Sequence, residues 1–483
     1  MKAALLLAAF PLLAQTPAPP DALARLRAAC AAPSPELADL RRLCDGIGGR
    51  VTGSPAYERA LRWSLDGFKA AGAAAHLERF TLKNGWEAGP AEIRVEGPFA
   101  FSPKAASWGW SAPCDGAFPI VDGGDGSDAA LEALGAQVKG AFVYLSTAQM
   151  TTPEALFEEY FATVRQVAKL RTLGAAGLLA QSTRPRQLLY RHIDPSLPDG
   201  AVSSIPEIQI AREDGDRLRR RLQDGPVRAR VRLANRVMGA ASAANAVAEI
   251  PGSDLKEEMV LIGAHLDSWE LGTGALDDGC NAAMVVELAR LFRAGDLHPR
   301  RTVRFVLFGG EEQGLLGSKA YAAAHAGEMD RLRAVLIYDE GMGRVSGFST
   351  GGRAEWRPIL DAAMAPLGGA APKAHTDDAF TGTDNYDFLA QGVPNLVANQ
   401  DWADYLPNYH AESDTFDKVD PAALRRQTEE AAVLLWGLAN APQLPARQTR
   451  AQVEALIQTT GLKSQMKSFG FWRGWEDKSR GRE

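Results

Sequence analysis

Two pairs of adjacent acids and one His-x-Asp motif are the residues whose types and spacing could do chemistry in this chain. Asp277-Asp278 and Glu311-Glu312 each place two like charges side by side, which is costly unless a cation or a shared proton relieves the repulsion. His265 and Asp267 are two residues apart, so on a strand both side chains lie on one face. There the carboxylate can fix the tautomer of a metal-bound imidazole. These groups together predict a metal site.

The types of ligand indicate which metal this site would hold. Mixed histidine and carboxylate ligands suit Zn(II) or its first-row neighbours better than Ca(II), which prefers cages of oxygen atoms. Two such metals about 3.5–4 Å apart can polarise a carbonyl and activate a water. One acid must then stay free of metal to move a proton. Of the seven histidines, His410 also has neighbours that suit a metal site, because Tyr409 precedes it and the acids Glu412 and Asp414 follow.

Predicted strands deliver most of these groups. They are expected at 259–262, 303–308, 333–338 and 393–398, separated by helical stretches. This alternation predicts an α/β fold with a mostly parallel mixed sheet covered by helices on both faces. Ligands bind beyond the carboxyl ends of the strands in such sheets, so we expect the site at that edge.

A second region has strands and helices of its own. Strands are predicted at 138–145, 175–180 and 205–210, and a helix at about 153–172. The region contains no cluster of histidines or paired acids. We interpret residues 100–245 as a small inserted α/β domain that interrupts a main domain formed by residues 21–99 and 246–445. The alternative is that its strands continue one large sheet.

The start of the chain and its overall charge bear on location and partners. Residues 1–20 combine one lysine, an apolar run too short to span a bilayer and a proline-rich spacer, as in a cleaved signal peptide. A buried N-terminal helix is the alternative. The net charge of −6, with no basic run, argues against nucleic acid or an anionic membrane as the main partner. We therefore expect a periplasmic or extracellular protein without a membrane span.

The sequence leaves open whether the cysteines pair and how the C-terminal end of the chain is structured. The chain has no C-x-x-C pair, and Cys30 and Cys44 could form a disulfide in an oxidising compartment or remain free, like Cys114 and Cys280. The helix that follows Asp420 is expected to be the last one. Residues 446–483 are predicted to form a loosely ordered tail, with docking on the body or on a partner as the alternative.

The motifs resemble those of the co-catalytic zinc exopeptidases, the family that includes bacterial leucyl aminopeptidase, and within it the carboxypeptidase Q-like branch. The resemblance covers about 40–440 and rests on five motifs in one order. They are His265-Leu266-Asp267-Ser268-Trp269, Ala275-Leu276-Asp277-Asp278-Gly279, Glu311-Glu312-Gln313-Gly314, Tyr338-Asp339 and Tyr409-His410. The loop at 48–54 is similar to an early loop of that family, and residues 205–218 resemble part of a protease-associated insert.

This resemblance implies a site with two Zn(II) ions. The terminal metal ligands would be His265, Glu312, Asp339 and His410, with Asp277 bridging both metals. Glu311 would be the general base, and Asp267 would orient His265. In one departure, Asp339-Glu340 stands where relatives carry a single acid, so Glu340 is the alternative ligand. Cys280 and Asn281 also stand where relatives tend to have small residues, which removes no ligand.

Together these observations predict a secreted or periplasmic dinuclear zinc metallopeptidase that uses metal-activated water on dipeptides or on terminal residues of short peptides. Alternatives are a broad-specificity aminopeptidase with the same metal site, a single-zinc acyl transferase of related fold, and a catalytically inactive binding relative. The complete ligand set disfavours the inactive relative. The inserted domain is expected to flank the crevice and exclude long chains, unless it only packs against the body or the second subunit of a homodimer.

Overall fold

The computed structural model describes residues 21–483, and the predicted signal peptide therefore lies outside the described residues. The strands are β1 (Ala74–Leu82), β2 (Gly85–Glu87), β3 (Ala91–Val95), β4 (Ala105–Ser107), β5 (Cys114–Asp122), β6 (Phe142–Leu145), β7 (Gly177–Gln181), β8 (Glu207–Ile210), β9 (Val227–Leu233), β10 (Arg236–Met238), β11 (Ala241–Ile250), β12 (Leu255–His265), β13 (Arg301–Phe308), β14 (Leu332–Ile337), β15 (Val345–Ser349) and β16 (Asn395–Gln400). The helices are α1 (Ala22–Ala31), α2 (Glu36–Arg41), α3 (Pro55–Ala70), α4 (Asp128–Leu134), α5 (Pro153–Leu173), α6 (Arg212–Gln223), α7 (Cys280–Ala294), α8 (Leu316–Ala324), α9 (Arg357–Met364), α10 (Asn385–Ala390), α11 (Pro421–Asn440), α12 (Arg450–Thr459), α13 (Leu462–Ser468) and α14 (Trp472–Glu476).

The first sheet of the described chain has seven strands in the order β1-β11-β13-β12-β14-β16-β15. The four central strands, β13, β12, β14 and β16, run parallel, and antiparallel strands flank them on both sides. His265 pairs with Phe308, and Gly263 pairs with Ile337, so β12, β13 and β14 end at nearly the same level. The residues that follow these three strands therefore meet at one edge of the sheet.

Apolar layers cover both faces of this first sheet. Val260 of β12 packs in a layer with α3, α7 and α11, whereas its neighbour Leu261 packs in the opposite layer with Tyr321 of α8 and Phe388 of α10. Successive strand side chains point to opposite faces, so an uninterrupted apolar run is what a sheet covered on both sides requires. The predicted α/β fold, with helices on both faces, is confirmed.

A second seven-stranded sheet lies within residues 91–233, with the order β3-β9-β5-β6-β7-β8-β4. Its strands β5, β6, β7 and β8 are parallel. Helix α5 packs on one face through Val167 and Leu170, and α6 packs on the other through Leu218. The strands of this region thus form a sheet of their own and do not extend the first. The sheet already begins at β3, ahead of residue 100, and the division into two domains stays a prediction.

The C-terminal segment is folded, so the prediction of a loosely ordered tail at 446–483 is wrong. It contains α12, α13 and α14, and α11 is therefore not the last helix. Trp475 is only 2% exposed, and the ring of Phe471 stacks on Tyr386 of α10 with 4.8 Å between the ring centroids. Phe471 and Trp475 are buried, and Phe469 and Trp472 partly buried, because the first sheet's helices provide a matching apolar surface.

All four cysteines are free thiols, so the disulfide considered between Cys30 and Cys44 is not formed. Burial raises the pKa of Cys44 to about 12. A thiol with so high a pKa is a weak nucleophile at neutral pH, and we assign Cys44 to the core, where it packs.

Candidate metal centre

The ends of three parallel strands build one side of the site. His265 is the last residue of β12, Glu311 and Glu312 follow β13 after two glycines, and Asp339 follows β14. Asp277 comes from the loop between β12 and α7, which returns to the same edge. Both positions require glycine, because a Cβ on Gly309 would lie 2.0 Å from the hydroxyl oxygen of Tyr57 and Gly310 has a φ of 72°.

Two groups of potential ligand atoms share Asp277. In the first group, Nε2 of His265 lies 3.1 Å from an oxygen of Asp277 and 3.1 Å from an oxygen of Asp339. In the second, Nε2 of His410 lies 2.9 Å from Glu312 and 3.4 Å from the other oxygen of Asp277. Within each group, all ligand atoms lie within 4.8 Å of one another. The structure thus brings together the five residues predicted from sequence as ligands.

The charges of these groups fit a resident cation. Oδ2 of Asp277 and Oε1 of Glu312 are buried and have no hydrogen-bond partner within the described residues. Burying an ionised carboxylate without compensation is very unfavourable. A pair of histidines and three carboxylates is a donor set that suits zinc and its first-row neighbours. The residues present therefore fit the metals that the sequence implies.

The two histidines differ in their electrostatic surroundings. Burial lowers the pKa of His410 to about 4, although Asp277 opposes this shift. Burial also acts to lower the pKa of His265, but the carboxylates of Asp339 and Asp277 outweigh it and raise that pKa well above its usual range. His410 is therefore a neutral imidazole at physiological pH, the form that can donate a lone pair to a metal.

Glu311 lies in the same cleft but outside both ligand groups. Its carboxyl is buried, and burial together with the charges of Asp339 and neighbouring Glu312 raises its pKa well above the usual range. Its backbone N–H donates to Oδ1 of Asp267 at 3.3 Å. A carboxyl beside the ligands but free of them is available to exchange a proton.

Asp267 contacts His265 through its main-chain carbonyl and not, as predicted, through its carboxylate. We expected its carboxylate to orient the imidazole, yet Nδ1 of His265 lies 3.0 Å from the main-chain carbonyl oxygen of Asp267 and 3.8 Å from the carboxylate. The carboxylate accepts from the N–H of Glu311 instead. Asp267 therefore links the His265 loop to the Glu311 loop, and its carbonyl sets the tautomer of the imidazole.

Glu340, the alternative to Asp339, lines the cleft but belongs to neither ligand group. Its carboxylate accepts a hydrogen bond from the backbone N–H of Gln400 at 2.9 Å. Asn281, which departs from the family pattern, donates to Asp278 at 2.5 Å and to the carbonyl of Gly341 at 3.0 Å. That asparagine therefore ties the Asp277-Asp278 loop to the loop after β14.

Two supporting residues were not predicted. The carboxylate of Asp414 accepts from the backbone N–H groups of Ala275, Leu276 and Asp277, at 3.1, 2.7 and 3.1 Å. The buried guanidinium of Arg50 donates to the carbonyls of Leu266, Thr273 and Gly274. Together they fix the loop that presents Asp277. Both stand inside segments that the sequence had marked, the loop at 48–54 and the residues after His410.

Three parts of the chain enclose the cleft above the ligands. Helix α5 and the loop at 193–197 form one wall, the C-terminal segment forms a second through Phe469 and Phe471, and residues 380–383 form a third. The charged groups lining the cleft are acids and His410, with no lysine or arginine among the described lining residues. The cleft is thus apolar at its walls and acidic at its base.

Comparison with known proteins agrees with this geometry. Residues 245–435 match the model of peptidase family M28. Carboxypeptidase Q of Bos taurus is 28% identical over 414 residues, which cover 84% of this chain and 86% of that protein. Carboxypeptidase Q of Xenopus laevis is 32% identical over 274 residues, 55% of this chain and 57% of that protein.

Solved structures share the fold. A peptidase M28 precursor from Shewanella amazonensis superimposes with a TM-score of 0.77 at 26% identity, covering 89% of this chain and 98% of that chain. A zinc aminopeptidase from Bacillus subtilis gives a TM-score of 0.67 at 18% identity, covering 85% of this chain and 96% of that chain, a likeness of fold alone. The chain thus contains a peptidase family M28 domain and is a metal-dependent exopeptidase.

Proposed function

We propose that the protein is a dinuclear zinc exopeptidase that cleaves dipeptides or terminal residues of short peptides. The observation that carries this proposal is the pair of ligand groups that share Asp277, since one bridging carboxylate between two sets of terminal ligands is the arrangement that two neighbouring metals need. His265 and Asp339 would hold one metal, and Glu312 and His410 the other. The zinc named for the Bacillus subtilis aminopeptidase of the same fold supports the choice of metal.

The chain's own residues would divide the work of hydrolysis. When bound, the metals would supply Lewis-acid polarisation of the scissile carbonyl and activation of a water. Glu311 takes a proton from the attacking water and delivers it to the leaving amine, a step that contributes about 10²–10⁴-fold in comparable enzymes. Asp267 holds the backbone of Glu311 in place. The apolar walls of the cleft exclude water from the reacting atoms.

The shape of the cleft favours small substrates. Residues of α5 and of the C-terminal segment both line the cleft, and the rings of Tyr160 and Phe469 approach to 5.9 Å between centroids. A folded protein chain would have to displace this contact to reach the metals. The inserted domain, for which we keep the bounds 100–245, would therefore act as a wall of the cleft and exclude long chains.

A specific observation also favours the second candidate, a broad-specificity aminopeptidase. The charged lining of the cleft is acidic, apart from His410. Asp277, Glu312 and Asp339 among these acids would be neutralised by the proposed metals, so the informative feature is the lack of a lysine or arginine among the described lining residues. A free carboxyl terminus would have no cationic side chain to pair with among the described lining residues, which favours recognition of the amino terminus.

Location remains part of the proposal. Among the described residues, no helix combines the length and the apolar character that crossing a bilayer demands. We propose a periplasmic or extracellular protein whose first residues act as a signal peptide. Detecting the mature chain in the culture supernatant or the periplasmic fraction, and sequencing its amino terminus, tests the proposed location directly.

The activity is tested with a zinc-loaded preparation and four substrates: a free apolar dipeptide, its N-acetylated form, its C-terminal amide and a folded protein. We expect cleavage of the free dipeptide and none of the folded protein. Loss of cleavage on N-acetylation alone would identify an aminopeptidase, whereas loss on either block would identify a dipeptidase. Cleavage of the N-acetylated dipeptide but not of the amide would instead identify a carboxypeptidase, and brisk cleavage of the folded protein would contradict the proposal.

A further inference from the structure

A segment of the second-sheet region pairs directly with the chain around His410. The backbone N–H of Arg191 donates to the carbonyl of His410 at 2.9 Å, and the N–H of Glu412 donates to the carbonyl of Leu189 at 3.1 Å. Tyr190 and Ala411 form the antiparallel bridge between these bonds. Residues 189–191 and 410–412 thus form a short two-stranded ladder that joins the two sheet regions at the site.

This ladder also fixes the imidazole of His410. Nδ1 of His410 lies 3.0 Å from the carbonyl oxygen of Arg191. Because a carbonyl only accepts, Nδ1 carries the proton and Nε2 is left with its lone pair. Nε2 faces Glu312 and Asp277. In the other candidate histidine, His265, Nδ1 likewise bonds a carbonyl oxygen, which belongs to Asp267 in its own loop.

The backbone at His410 needs such support. Its φ of 57° lies in the left-handed region, which is unfavourable for a residue with a Cβ and persists only where the surroundings impose it. Tyr409 stacks on the His410 ring at 3.7 Å, and Tyr160 of α5 bonds the Tyr409 hydroxyl at 2.8 Å. The surroundings that impose this conformation therefore come in large part from residues 153–192.

The side chain of Arg191 anchors the ladder on both sides. Its guanidinium is 3% exposed and bonds the carbonyl and hydroxyl of Ser107, at β4 of the second sheet. It also pairs with Glu270, in the loop that follows His265, and lies over the ring of Trp86 at 5.6 Å. A planar guanidinium with several donors can make these bonds at once, which no other side chain can.

We propose that Arg191 is a positioning residue for the metal site at His410, so that the second-sheet region completes that site and does not merely cover it. This inference rests on the proposed function, because it assumes two metal positions. Partners of the far nitrogen of a ligating histidine set its orientation, and their loss typically weakens metal binding about 10–100-fold. Loosening Arg191 should therefore weaken one metal position selectively.

The test compares wild type with Arg191→Met, which keeps the length of the apolar stem but removes the donors. Zinc per chain is measured after dialysis, and the two zinc affinities are measured by competition with a chromogenic chelator. We expect wild type to bind two zinc ions. In Arg191→Met, one affinity should fall about 10–100-fold and the other should stay near its wild-type value. The matched control, Arg230→Met, breaks an exposed ion pair with Asp115 on the second sheet and should change neither affinity.

Equal weakening of both positions, or no change in either, would overturn the inference even if the thermal stability of the metal-free protein falls. If Arg191→Met does not fold, Glu270→Gln takes its place. That change keeps the shape of the partner and removes its charge, so the same single position should weaken by a smaller factor. Unchanged zinc affinities in a folded Glu270→Gln would then overturn it. A wild-type protein that binds fewer than two zinc ions would instead refute the proposed dinuclear site, which is a different outcome from failure of the inference about Arg191.

Discussion

Buried acids occur beside both sheets, but they have different partners. In the second sheet, Arg171 lies 2.9 Å from Asp194 and 3.3 Å from Glu207, and the hydroxyl of Ser203 bonds Glu207 at 2.6 Å. At the edge of the first sheet, the predicted ligand acids contact histidines, and within residues 21–483 none of them is paired with a lysine or arginine. One group of acids is compensated by the protein, and the other is not.

This difference shows which buried acids belong to the architecture and which belong to a ligand. An acid with an arginine partner is stabilised in the folded chain itself. Acids that converge without a lysine or arginine partner among the described residues, such as Asp277, depend on the histidines or on a bound cation for positive charge. Buried titratable groups whose pKa values are shifted mark functional sites for the same reason.

The largest effect is expected from Glu311→Gln. If Glu311 moves the proton and binds no metal, turnover should fall by about 10²–10⁴-fold, while zinc content stays at the wild-type value. The measurement is kcat on the free dipeptide together with zinc per chain. The control is Glu258→Gln, on the same strand as His265 but near its other end, where Glu258 bonds Arg301. Loss of zinc together with activity would make Glu311 a ligand and would contradict its assigned role.

The second effect is expected from metal removal, which should affect the acids of the first sheet and not those of the second. Because the acids of the first sheet lack a protein cation, bound zinc should stabilise the folded chain by about 2.7 kcal/mol per site when its concentration is a hundred times the Kd. We therefore expect a chelator to lower the melting temperature and added zinc to restore it. Asp277→Asn should abolish this zinc-dependent shift, since it removes the shared ligand.

Glu207→Gln serves as the control for that experiment, because it changes a buried acid that arginine already compensates. It should retain the full zinc-dependent shift in melting temperature. An equal melting temperature with and without zinc in wild type would show that the acids of the first sheet are relieved in some other way, by shared protons.

Apolar runs and polar residues at strand ends made much of the molecule predictable. The strands at 303–308 and 333–338 were placed within a few residues because all their side chains except that of Arg333 are apolar or buried. By contrast, β11 is rich in alanine, a poor strand former, and neither it nor β1 was predicted as a strand. Strand β1 pairs with β11, and β11 pairs with β13, and a local pattern does not reveal such pairing between distant segments.

The ligand residues were predictable, but their supports were not. His265, Asp277 and Glu312 stand out by residue type and spacing, whereas Asp414 and Arg50 act through main-chain N–H and carbonyl groups that every residue has. The docking of Trp475 depends on a surface that forms only after the chain has folded. Sequence therefore indicated which residues do chemistry and left open what holds them in place.

The third effect concerns the compensated acid, and it is the smallest within any one pH unit. Burial, followed by the charge of Asp194, raises the pKa of Glu207 from 4.5 to about 8, although Ser203 and Arg171 act against this shift. The folded chain then keeps a proton that the unfolded chain loses above pH 4.5. Its contribution to the free energy of unfolding is fully present below pH 4.5 and is lost as the pH rises through about 8.

Glu207→Gln should make this pH dependence shallower, by up to about 1.4 kcal/mol per pH unit between those two values, because an amide has no proton to lose and keeps an acceptor oxygen for Ser203 and Arg171. Urea unfolding at several pH values measures the slope. Glu92→Gln, at an exposed ion pair with Arg232 on the same sheet, should leave it unchanged. Parallel slopes in wild type and Glu207→Gln would mean that Arg171 keeps Glu207 ionised in the folded chain. Both sheets would then have a buried charged acid beside them. They would differ only in that an arginine pairs with the acid of the second sheet.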